Sequence, residues 1–159
     1  MLSIGDEAPD FELPDQDCRF VRLGQLLASG PVVVFFYPAA LSPGCTAQSC
    51  HFRDLAAEFD AVGASLVGIS RDDVAKQKRF DTTHALGFPL LSDRDASVRS
   101  AYGVLRMGGH VLPARRVTFV VAPTRRIVGI VHHELSMNAH ADRALQAVRR
   151  LRADAGDVA

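Results

Sequence analysis

The sequence predicts an α/β domain with a central mixed β-sheet flanked by helices and an N-terminal β-hairpin. Three observations carry that prediction. Residues 32–37, Val-Val-Val-Phe-Phe-Tyr, form an unbroken β-branched and aromatic run, the pattern of a strand buried on both faces. Apolar strand segments then alternate with segments of helical period, as in α/β folds. The chain of 159 residues is sized for one domain that buries roughly 70% of its unfolded surface, and no repeat or linker divides residues 1–159.

Taken in order, Phe11 and Leu13 alternate with polar neighbours, Pro14-Asp15-Gln16-Asp17 turns the chain, and Phe20, Val21 and Leu23 return it. Residues 10–23 therefore read as a short hairpin, and residues 25–28 as a helical turn. After the strand at 32–37, the stretch from Pro38 to Gly44 breaks the extended pattern. The spacing predicts one helix over residues 45–59, with Phe52, Leu55, Ala56 and Phe59 on one face and Gly63 as its stop. Residues 65–70 make a second apolar strand. Asp72 or Asp73 caps a helix through His84, and Gly87 ends it. A short strand follows at 88–91 and a short helix at 96–102. Two strands, 117–122 and 127–132, are joined by a turn at Pro123-Thr124. A closing helix over 139–153 places Ala141, Leu145, Val148 and Leu151 at helical spacing. This order makes a thioredoxin-like layout, the late hairpin supplying the antiparallel part of the sheet.

Composition excludes several function classes. Hydrophobic residues make up 48% and charged residues 23%, so the chain can form a core rather than stay disordered. Basic and acidic residues balance at 18 each, which removes the broad field that nucleic-acid or anionic-membrane binding needs. No apolar run approaches the roughly 20 residues of a membrane span. The start, Met1 to Glu7, turns acidic where a secretory signal would be apolar. The expectation is a soluble, cytoplasmic protein. Its three cysteines, Cys18, Cys45 and Cys50, are too few for a secreted disulfide framework and point to redox or metal chemistry. The six histidines show no ligand spacing with cysteines or carboxylates, so no metal and no cofactor are expected.

The segment from Tyr37 to Cys50 joins the C-terminal end of a buried strand to a helix N-terminus, the edge where ligands bind in open α/β sheets. Cys45 falls in the first helical turn, beside unpaired backbone N–H groups that favour a thiolate over a thiol. A thiolate is the nucleophile, so position alone makes Cys45 the reactive candidate; the bland alternative is a small buried apolar residue.

Pro38, Ser42 and Cys45 reproduce a Pro-x-x-x-Thr/Ser-x-x-Cys signature, and Pro43-Gly44-Cys45-Thr46 is followed by Cys50 five residues on. These residues resemble the peroxiredoxins, in particular the bacterioferritin-comigratory-protein or peroxiredoxin Q subfamily. The resemblance extends through Gly5-Asp6-Glu7-Ala8-Pro9-Asp10-Phe11, Phe52-Arg53-Asp54, Phe88-Pro89-Leu90-Leu91-Ser92-Asp93 and Arg116-Val117-Thr118-Phe119. It implies that Cys45 is the peroxidatic cysteine and that Ser42 offers its hydroxyl to peroxide and thiol. Pro38 would shape the loop and shield the sulfur. Arg116, with Arg115 as fallback, would stabilise the thiolate and the developing charge. Gln48 stands where many relatives carry Glu, and could still hydrogen-bond in that network.

Cys50 reads either as an inert filler or, by the resemblance, as the resolving cysteine. On an ideal helix, residues five apart lie about 8.6 Å apart at Cα, beyond the roughly 7 Å that a disulfide spans. A Cys45–Cys50 bond thus requires the helix start to unwind. Cys50 also sits about 200° around the helix from Phe52, away from the expected core face. Cys18 occupies a turn and reads as incidental.

The resemblance implies a thiol-dependent peroxidase for hydrogen peroxide and organic hydroperoxides, recycled by thioredoxin or a similar dithiol donor and acting as a monomer or weak homodimer. Two rivals stand beside it. One is a redox-sensing or chaperone-like protein that reacts once without turnover. The other is a thioredoxin-type disulfide oxidoreductase, against which Cys45 and Cys50 make no Cys-x-x-Cys pair and Val117 stands where such proteins carry a cis-proline.

Overall fold

A computed structural model describes residues 1–157. The hairpin comprises β1 (Glu12–Pro14) and β2 (Phe20–Arg22), followed by α1 (Leu23–Leu27). Then come β3 (Val32–Phe36), α2 (Pro43–Asp54), α3 (Ala56–Ala61), β4 (Ser65–Ser70) and α4 (Val74–His84). The chain continues through β5 (Leu90–Ser92), α5 (Ser97–Ala101), a 3-10 turn at Gly109–Val111, β6 (Val117–Val121), β7 (Ile127–His132) and α6 (Met137–Asp157). The five-stranded sheet has the order β5-β4-β3-β6-β7. β4 runs parallel to both β3 and β5, while β6 runs antiparallel to both β3 and β7. This is the mixed, thioredoxin-like α/β sheet with an N-terminal hairpin that the sequence predicts. Among the described residues, no helix is long and apolar enough to cross a membrane.

Strand alternation divides the core between the two faces of β3. Val32, Val34 and Phe36 join Phe11 and Leu13 of the hairpin, Leu23 and Leu27 of α1, and Val98 of α5. Val33 and Phe35 pack instead with Phe52, Phe59 and Phe80 and with Ala141, Leu145 and Val148 of α6. Phe35 stacks on Phe52 at 4.3 Å between ring centroids. That ring leaves no room on β4: a Cβ at Gly68 would stand 2.8 Å from Phe35 Cζ.

Several boundaries differ from expectation. The single helix expected over 45–59 begins at Pro43, whose fixed φ suits a first helical position. It then breaks at Leu55 (φ −98°, ψ 6°), so Phe52 and Phe59 reach the core from two helices; nothing at Leu55 itself marks the break. Helix α4 is capped by Asp73, whose carboxylate accepts from Lys76 N–H at 2.8 Å, leaving Asp72 for another role. Its end comes at Ala85 in a left-handed conformation, ahead of Gly87. β5 starts at Leu90 rather than at Phe88, beyond Pro89, which has no N–H to give to the ladder.

Candidate active site

The pairing of β6 with β3 positions the site. Val117 lies opposite Phe36 in antiparallel register, so Arg116 emerges at the C-terminal end of β3, where the chain enters α2. Cys45 is the third residue of α2 and is fully buried. Arg116, 7% exposed, donates from Nη1 to Cys45 Sγ at 3.4 Å and to Gln48 Oε1 at 2.6 Å. Cys45 and Gln48 share one helix face at i and i+3, so a single guanidinium spans both. Arg115, on the other side of the extended chain, uses its backbone N–H for Val104 C=O at 2.8 Å. Arg116, not the fallback, is therefore the cation at the cysteine.

Close packing seats this cation. A Cβ at Gly44 would stand 3.1 Å from Arg116 Nη2 and 3.5 Å from Met137 Sδ, so glycine at that position lets the guanidinium and α6 approach the helix start. No side chain caps the N-terminus of α2, which leaves its first-turn N–H groups facing the site. Ser42, the half-buried N-cap residue, turns its hydroxyl to Ala39 C=O at 2.8 Å rather than to Cys45. Pro38, also half-buried, opens the loop.

Cys50 departs from the exposure expected of it: it is half-buried and packs against the core beside Phe52 and Phe59. Phe52 and Phe59 of the expected core face are fully buried, and Cys50, on another side of α2, is covered in part as well. Cys45 and Cys50 are both free thiols on one unbroken helix. Cys18 is exposed at the hairpin turn with φ +61°.

A second polar cluster holds the loop before Cys45. Asp72 Oδ2 accepts from Ala40 N–H and from the Ser70 hydroxyl, each at 2.7 Å. Gln77 Nε2 donates to Ser70 Oγ and to Leu91 C=O, each at 2.9 Å, and its Oε1 accepts from the Tyr37 hydroxyl. Burial keeps that phenol protonated. Lys76 Nζ lies 3.0 Å from Asp72 Oδ1. The sequence reading missed this cluster, apart from naming Asp72 as a cap; the available signal was polar Ser70 and Asp72 closing an apolar strand.

Behind Arg116 lies His140, fully buried on α6. Its Nε2 donates to His133 C=O at 2.7 Å, so Nδ1 accepts from the Thr118 hydroxyl at 2.8 Å. Burial, with Arg116 adding in the same direction, pushes its pKa down to about 4 against the opposing bond to His133.

A buried thiol on a helix start, held by a guanidinium, is equipped for attack on an electrophile whose leaving group departs as an anion. The AhpC/TSA family matches residues 4–130. Rice (Oryza sativa subsp. japonica) chloroplastic peroxiredoxin Q is 39% identical over 150 residues, covering 94% of this chain and 68% of that protein. The crystal structure of peroxidoxin BcpB from Mycobacterium tuberculosis matches with a TM-score of 0.90 at 48% identity, over 95% of this chain and 99% of that one. A Xanthomonas campestris bacterioferritin comigratory protein, studied for its alkyl peroxide reduction activity, matches at 0.81 and 30% identity, over 89% and 92% of the two chains. Sequence signature, fold and site geometry converge: the chain belongs to the AhpC/TSA family and is a peroxiredoxin, a peroxidase enzyme.

Proposed function

We infer that this peroxiredoxin reduces hydrogen peroxide and organic hydroperoxides through Cys45, with Cys50 as the resolving thiol and thioredoxin or a similar dithiol as reductant. The observation that carries the reading is the contact of buried Cys45 Sγ with Arg116 Nη1 at 3.4 Å at the start of α2. The thiolate attacks the terminal peroxide oxygen, the O–O bond breaks, and an alkoxide or hydroxide leaves and takes a proton. Cys45 becomes a sulfenic acid. Arg116 and the first-turn N–H groups of α2 stabilise the charge that moves from sulfur to the leaving oxygen. Ser42, its proton held by Ala39 C=O, keeps lone pairs for the incoming peroxide O–H. Pro38 shapes the loop that excludes water.

The Cys50 thiol then attacks the sulfenic sulfur, releasing water and forming the Cys45–Cys50 disulfide. A dithiol donor reduces that bond by exchange and is itself oxidised. The catalyst works as a monomer or weak homodimer in the cytoplasm and requires no metal or cofactor. Intact mass after one equivalent of peroxide tests the scheme: loss of two hydrogens is expected. Gain of one oxygen without further change would overturn Cys50 as resolver. NADPH oxidation coupled through thioredoxin and its reductase should depend on peroxide, and its absence with every dithiol donor tried would overturn the turnover scheme.

A further inference from the structure

The chain that leads into Cys45 is held against an opposing strain. Leu41, four residues before the thiol, has φ +68°, a left-handed conformation that a branched side chain rarely adopts. Its neighbour Ala40 is fixed through its N–H by Asp72, a carboxylate only 8% exposed. The same Asp72 oxygen takes the Ser70 hydroxyl, while Gln77 bonds Ser70 and Leu91. The grip therefore comes from β4, α4 and β5 together, a rigid frame outside the segment it holds. Opening the loop would relax Leu41 but would break the bond to a buried carboxylate.

Building on the reading of Cys45 and Cys50 as peroxidatic and resolving thiols, we propose that Asp72 is a positioning residue that sets the partition of the Cys45 sulfenic acid. Two routes compete for that species. In one, Cys50 displaces water to make the disulfide; in the other, a second peroxide oxidises the sulfenic acid to sulfinic acid and leaves as alcohol or water. Only the first requires the start of α2 to unwind, because thiols five residues apart on an intact helix are too distant to bridge. Asp72 holds Ala40, three residues before α2 begins, and by fixing the chain that leads into the helix it resists that unwinding, which slows the first route while leaving the second open.

Asp72→Asn is nearly isosteric and replaces a charge-assisted acceptor with a neutral one, roughly half as strong. At a fixed excess of peroxide, quenched samples of wild type and variant are read by intact mass for disulfide and sulfinic acid. The ratio of disulfide to sulfinic product should rise about tenfold in Asp72→Asn. An unchanged or lowered ratio in a folded variant overturns the proposal. A second measurement needs no variant. Amide exchange at Ala40 should speed up on oxidation of the wild type together with the first turn of α2, and an Ala40 amide equally protected in both forms overturns it. A wild type that forms no disulfide, by contrast, identifies failure of the underlying assignment of Cys50 and removes the basis of the proposal with it.

Discussion

Arg116→Met removes the guanidinium charge while keeping much of the side-chain volume, which isolates the electrostatic contribution of this residue. With Nη1 3.4 Å from Sγ, two unit charges attract by about 5 kcal/mol at an effective dielectric of about 20. The helix N-terminus remains in the variant, and loss of one preorganised donor costs about 2.7–4 kcal/mol in comparable oxyanion sites. A loss of about 3 kcal/mol is expected, or roughly 150-fold in the second-order rate with peroxide. Stopped-flow loss of the Cys45 thiol at pH 7 measures it. The cation lies against the sulfur, so its removal should also slow alkylation of Cys45 at pH 7. Arg116→Lys should recover only part of the rate, because the shorter side chain keeps the charge but does not bring its ammonium to the place from which Nη1 donates to both Cys45 and Gln48. Rates within threefold of wild type, for both peroxide and the alkylating agent, would refute the reasoning.

Cys45→Ser should abolish peroxide consumption, measured as residual peroxide, and near-wild-type consumption would move the chemistry to another residue. Cys50→Ser should keep a near-normal first oxidation but lose thioredoxin-linked turnover and reach the sulfinic state at lower peroxide; full turnover would exclude Cys50 as resolver. Gln48→Glu puts a carboxylate on the Arg116 Nη1 that now meets an amide at 2.6 Å, so Cys45 sees less positive charge. Alkylation of Cys45 at pH 7 should slow severalfold, and an unchanged rate would refute that coupling. For His140, the folded pKa of about 4 lies below the unfolded value of about 6.5, so the unfolded chain takes up the proton first as pH falls. The contribution of this neutral histidine is complete above about pH 6.5 and is lost toward pH 4, on the order of 3 kcal/mol. Urea unfolding across that range should show a flatter pH dependence in His140→Gln, and parallel curves would exclude His140 as the cause.

The strands were the most legible part of the chain, because buried strands announce themselves locally. Val32 to Phe36 and Ser65 to Ser70 need no partner to be read as extended apolar runs. Cys45 stood out by its place at a helix start, whereas Arg116 was singled out by the resemblance carried in Arg116-Val117-Thr118-Phe119. What stayed hidden depends on pairing between distant elements. Asp72 and Asp73 are equivalent as caps in a linear reading; only the fold assigns Asp73 to α4 and turns Asp72 to Ala40, 32 residues away. The bond between Thr118 and His140 likewise joins β6 to α6. The break at Leu55 was invisible because helical spacing continues across it, and the left-handed ends at Ala85 and Leu41 carry residues that do not advertise that conformation.

Cys45 and Arg116 are 71 residues apart in sequence and meet only because β6 lies beside β3. During synthesis, the ribosome releases the thiol long before the cation exists. A nascent chain can form the start of α2, yet it has no guanidinium to place against the sulfur. A copy truncated before β6 never acquires one. On the role proposed for Cys45, peroxide present during translation meets a thiol that still lacks the contact with Arg116.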